Sequence, residues 1–141
     1  MNKLDLLKEL KDEVFVRLQP SPGKGMGVFA IRDIPANINP FGEDNIKFVK
    51  IPVNEIKLNP NIPLSVKEYV HAISVCLGGY YYLPDCGLNN IPPSFYVNHS
   101  KEPNLKTTGA EESFIFTTIR PIKAGEELTI DYETYNDDFT L

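Results

Sequence analysis

Three stretches of this 141-residue chain carry residue types that could do chemistry. The first, Ser94 to Asn104, reads Ser-Phe-Tyr-Val-Asn-His-Ser-Lys-Glu-Pro-Asn. Its apolar run (Phe95, Tyr96, Val97) drives the chain inward and delivers Asn98, His99 and Ser100 there, before Pro103 halts any regular continuation. A buried polar group without a partner costs about 1–3 kcal/mol, so three in a row after a core strand read either as a site or as a strand ending in a polar turn. The second stretch, Gly23-Lys24-Gly25-Met26-Gly27, spaces three glycines at alternate positions, which permits positive φ and close approach of a ligand to the backbone. The third is a strand ending at Asp131-Tyr132. A dinucleotide cradle fails on context, because Val28 stands where the sixth position of G-x-G-x-x-G needs glycine and the following segment is β-like. A hydrolase built from Ser100, His99 and Asp131 is disfavoured, since adjacent His and Ser side chains diverge and no nucleophile elbow is present.

The elements that must position these groups are mostly short strands. Residues 3–13 carry Leu4, Leu7 and Leu10 at helical spacing, an amphipathic arm. Val14, Val16 and Leu18 alternate as a strand that Pro20-Ser21-Pro22-Gly23 breaks, and a second strand runs through Val28 to Ile31. Residues 37–64 are rich in proline and asparagine and predict irregular chain with at most short strands. Val66, Val70, Ile73 and Leu77 predict a helix over 64–77 that Gly78-Gly79 stops, with His71 a surface or satisfied histidine. Strands are expected at 80–83, 114–119 and 127–132, with a polar turn at 107–112. The fold class expected is mainly β, several short sheets with one main helix. It divides into an arm over 1–13 and a single domain over 14–141.

Residue by residue, the three stretches resemble one family. Gly25-Met26-Gly27-Val28-Phe29-Ala30 followed by Arg32-Asp33-Ile34-Pro35 is similar to the opening of SET-domain protein lysine methyltransferases. Asn98-His99-Ser100-Lys101-Glu102-Pro103-Asn104 resembles their Asn-His-Ser-Cys-x-Pro-Asn signature, and Arg120 to Tyr132 resembles their closing motif. The three occur in the family's order. The resemblance implies a β-clip fold in which the 98–104 segment tucks beneath the closing strand, a pseudoknot-like crossing that chains otherwise avoid. It implies S-adenosyl-L-methionine as cofactor, with Lys24, Gly25, Met26, Gly27, Phe95, Asn98, His99 and Tyr132 around it. It implies Tyr132 as the catalytic tyrosine and Tyr135 and Phe139 as walls of an aromatic lysine channel. The sequence departs from the pattern in three places: Lys101 stands where many relatives have cysteine, Phe95 where an arginine is usual, and Pro40-Phe41-Gly42-Glu43 only echoes a Tyr-x-Gly segment.

Composition bounds the partners. The net charge of −5 argues against general affinity for nucleic acid and permits a basic protein partner, such as a lysine-rich tail. No apolar run approaches the ~20 residues needed to span a bilayer, and the polar N-terminus does not read as a signal peptide, so the expected setting is cytoplasmic. Cys76 and Cys86 are expected as free thiols there. With His71 and His99 they match no zinc spacing, so no metal is expected. The Asn98-His99-Ser100 glycosylation match is set aside in the absence of secretion. The function expected is methyl transfer to a lysine amine of a protein substrate. The alternative is a catalytically impaired SET-fold module that binds a basic partner. The smallest family members are often dimers, for which Leu4, Leu7 and Leu10 offer a contact stripe.

Overall fold

The computed structural model describes residues 1–42, 47–108 and 115–134. Among the described residues, three small sheets carry the chain. In the first, β1 (Val16–Ser21) and β2 (Gly25–Ala30) form a hairpin, and β9 (Glu127–Ile130) and β6 (Asn98–His99) extend it in the order β1-β2-β9-β6. The second is ordered β3-β5-β4, from β3 (Phe48–Pro52), β5 (Tyr80–Pro84) and β4 (Val75–Leu77). The third pairs β7 (Leu105–Thr108) with β8 (Ile115–Thr118). The helices are α1 (Lys3–Asp12), α2 (Val53–Lys57) and α3 (Leu64–Ile73).

Several element boundaries differ from expectation, each for a local reason. β1 does not break at Pro20 but runs on to Ser21: it is an edge strand, where a missing N–H costs no ladder bond. The helix expected to reach Leu77 ends at Ile73, and Val75 to Leu77 pairs back on Tyr80 to Tyr82. Gly78 and Gly79, with φ of 62° and 81°, are a two-residue hairpin turn and not a helix stop. Phe95 to Val97 is not a strand. Pro92 and Pro93 open a single turn of 3-10 helix over Pro93–Tyr96, and only Asn98–His99 is extended. The proline-rich stretch holds the short helix α2, which its composition did not announce. The strand expected over 114–119 is β8, with Phe114 outside the described residues. The turn expected at 107–112 is strand as far as Thr108, and the rest of it lies outside them.

β9 organises the whole. It runs antiparallel to β2 (Val28↔Leu128) and parallel to β6 (Asn98↔Thr129, His99↔Ile130). The chain leaves β6, makes the β7–β8 hairpin, bridges Ile122 to Ile34, and returns between two strands already placed. That return is the crossing of C-terminal segments. Val28, Leu128, Ile130, Val97 and Leu105, none more than 3% exposed, form the core beneath it. Burying each such side chain contributes about 1.5–3 kcal/mol.

Asn104 locks the crossing. It is 3% exposed, and its carboxamide pairs with β9 as another strand would. Nδ2 donates to the Glu127 carbonyl at 2.9 Å, and Oδ1 accepts the Thr129 N–H at 2.8 Å. Its backbone N–H reaches the Thr129 carbonyl at 3.2 Å, and its own carbonyl accepts the Ile119 N–H at 2.9 Å. Asn104→Ala would orphan two buried backbone groups of β9. The expected loss is about 2–4 kcal/mol of unfolding free energy by denaturant titration; a loss below about 1 kcal/mol would contradict the clamp.

Candidate active site

The crossing brings the three stretches together. Pairing of β9 with β2 begins at Val28, so beyond it the Gly25–Gly27 end of β2 lies open on that side. The Met26 carbonyl faces this gap, where Asn98 Nδ2 donates to it at 3.0 Å. Asn98 Nδ2 also donates to Glu127 Oε2 at 2.8 Å, and Ser21 Oγ donates to Glu127 Oε1 at 2.8 Å. Gly27 makes this web possible. A Cβ there would lie 2.5 Å from Glu127 Oε2 and 3.0 Å from both Asn98 Nδ2 and Ser21 Cβ. Lys24 sits in the exposed hairpin turn, its N–H bonded to the Ser21 carbonyl at 3.0 Å, and Met26 is exposed beside it.

His99 and Tyr132 form the other wall. Their rings stand 5.2 Å apart, and His99 Nδ1 accepts the Tyr132 N–H at 3.0 Å. The neutral imidazole therefore carries its proton on Nε2. The strand expected to include Tyr132 stops at Ile130, because the Asp131 carboxylate accepts the Glu133 N–H at 3.0 Å and turns the chain. The turn swings Tyr132 under β6, where its hydroxyl donates to the Val97 carbonyl at 2.5 Å. Burial, and then the Glu127 carboxylate, push the phenol up to about 12. Lys101 pairs with Glu133 on the outer surface, so the lysine at the family's cysteine position closes this turn by charge.

Three expected residues lie elsewhere or outside the described residues. The Phe95 turn packs against β2, but its ring faces Phe48 of β3 at 6.1 Å. Tyr135 and Phe139 lie outside the described residues. Ser21 and Glu127 were not singled out from sequence; a carboxylate opening a strand next to an inward hydroxyl is a signal only once the strands are paired. Among the described residues no three His, Cys, Asp or Glu side chains converge as a metal site. A groove of about 1050 Å³ runs between α1 and the domain, lined in part by Glu9, Glu13, Phe15 and Phe41, and contains none of the residues above.

A family model for the SET domain matches residues 25–133, most of the chain. The chain belongs to the SET domain family. The SET domain here is 47% identical over 47 residues to the histone-lysine N-methyltransferase Su(var)3-9 of Drosophila pseudoobscura pseudoobscura, covering 28% of this chain and 7% of that protein. It also superposes on the crystal structure of a protein from Plasmodium falciparum named "putative histone methyltransferase", with a TM-score of 0.52 at 21% identity, over 84% of this chain and 92% of the other. That second likeness is one of fold. No helix among the described residues of this SET domain is long and apolar enough to cross a membrane.

The Tyr132 phenol gives a pH signature. Its folded value, about 12, lies above the unfolded value of about 10, so the folded chain holds the proton more tightly. The resulting stability is complete below about pH 10 and is lost as pH rises to about 12, by up to roughly 2–3 kcal/mol. Denaturant titrations across that window should show a steeper fall for wild type than for Tyr132→Phe. Parallel curves would contradict the burial of this hydroxyl.

Proposed function

We propose that this SET domain transfers a methyl group from S-adenosyl-L-methionine to the side-chain amine of a lysine in a protein substrate. The observation that supports it most is convergence: an open β2 edge at Gly25–Gly27, the Asn98–His99 pair and the Tyr132 phenol meet across β9 at one place. The residues present fit the cofactor. The edge offers main-chain groups with no side chains at Gly25 and Gly27, and a Cβ on Gly25 would meet nothing within 4 Å. Lys24, Gly25, Met26 and Gly27 would hold its amino-acid part, with Asn98 and His99 beside them.

The cofactor supplies a methyl group on a cationic sulfur. Transfer would exchange the methyl group's bond to sulfur for one to the lysine nitrogen, carrying the positive charge to that nitrogen and leaving a neutral thioether. The acceptor amine must be neutral, although its ordinary pKa is about 10.4. Its proton passes to solvent water before transfer, a loss favoured by desolvation and by the nearby cation. Tyr132 does not take that proton. Held protonated, with its hydrogen committed to the Val97 carbonyl, it presents an oxygen lone pair that accepts an N–H of the amine and aligns the nitrogen. Alignment of this kind supplies several kcal/mol of a transfer barrier. The His99 and Tyr132 rings exclude water. The substrate fitting a chain of charge −5 carries its lysine on a basic segment, and the exposed Leu4, Leu7 and Leu10 face of α1 suits a second copy.

Calorimetric titration with the cofactor, followed by methylation of lysine-rich peptides, tests the reading. Tyr132→Phe should lower turnover about 100-fold or more and change cofactor affinity less than about threefold. A wild-type protein that binds no cofactor would overturn the proposal. One that binds it but methylates no substrate would favour the binding module.

A further inference from the structure

Glu127 opens β9 with its carboxylate half buried between Ser21 Oγ and Asn98 Nδ2, each at 2.8 Å. The chain gives up a side chain at Gly27 to admit it, since a Cβ there would come within 2.5 Å of Oε2. Both donors are neutral. Among the described residues no lysine, arginine or histidine forms an ion pair with it. A carboxylate drawn partly out of water and met only by a hydroxyl and a carboxamide recovers part of its lost hydration; a cation recovers far more. The carboxylate also acts on Tyr132, whose phenol it helps to hold protonated, so its field reaches the end of the site where methyl transfer is placed. It faces the open edge of β2 together with Asn98, which bonds Glu127 and the Met26 carbonyl at once.

We propose that Glu127 is the counter-charge of the cofactor pocket: Ser21 and Asn98 fix its carboxylate, and it makes the pocket prefer the cationic sulfonium donor over the neutral thioether product. This rests on the methyl-transfer reading above and deepens it. Transfer removes the charge from sulfur, so the same carboxylate that favours donor binding loses its grip once the reaction is over. Ser21 and Asn98 are positioning residues in this scheme. Gly27 is the space they need.

The test compares two ligands that differ at sulfur and share the same adenosyl and amino-acid groups: S-adenosylmethionine and S-adenosylhomocysteine. Calorimetry on the full chain should show that Glu127→Gln weakens the donor about tenfold and the thioether less than about twofold. Ser21→Ala, which keeps the charge and loosens its support, should weaken the donor less than Glu127→Gln does. In wild type alone, the ratio of the two affinities should fall as salt is raised, because the preference is electrostatic, and this reading survives if Glu127→Gln does not fold. Equal weakening of both ligands by Glu127→Gln, or a wild-type ratio indifferent to salt, overturns the counter-charge and leaves the cofactor site standing. Failure of wild type to bind either ligand overturns both.

Discussion

A single buried carboxamide holds this structure closed. Asn104 pairs both edges of its side-chain amide with β9 and adds its own backbone N–H and carbonyl to β9 and to Ile119. No regular strand stands at that position, so the side chain takes the part of one. Strand β9 can thereby lie between β2 and β6, antiparallel to the first and parallel to the second. A parallel pair needs a long crossover, which the chain between β6 and β9 supplies, and the entropy of ordering that return must be offset locally. Pro103 before the asparagine and the apolar core of Leu105, Leu128 and Ile130 below it supply that offset.

The site follows from this closure. Because the pairing of β9 with β2 starts at Glu127 beside Phe29 and ends at Leu128 beside Val28, the glycine end of β2 keeps an open edge. From the two residues of β6, Asn98 reaches β2 while His99 reaches Tyr132, two residues past the end of β9. Asp131 then turns the chain so that Tyr132 falls back under Val97. Each polar side chain in the group is thus satisfied by the protein itself, which fixes orientation in advance of any ligand. The proposed methyl transfer asks for that rigidity, since a neutral amine and a transferring methyl must be held in line.

Sequence disclosed the site better than the elements that carry it. Asn98, His99, Asn104 and Tyr132 stand in local motifs, because the crossing demands particular side chains at fixed offsets. Gly78-Gly79 misled for a physical reason: a helix stop and a two-residue hairpin both call for positive φ, and only the pairing of Val75 with Tyr82 decides between them. Phe95 to Val97 had the composition of a strand, but Pro92-Pro93 set φ values suited to a turn. Ser21 and Glu127 were invisible because they are 106 residues apart, and neither residue type at a strand end is distinctive alone.

The proposed function depends on Gly25 to Gly27, Asn98, His99 and Tyr132 forming one pocket for an adenosyl sulfonium. Amide chemical-shift mapping of the labelled chain, titrated with S-adenosylmethionine, tests it most directly. Saturable shifts clustered on Lys24 to Gly27, on Asn98 and His99 and on Tyr132, rising together along one binding curve, are the expected result. Shifts confined to the groove between α1 and Phe41, or a spectrum unchanged at saturating ligand, would contradict it.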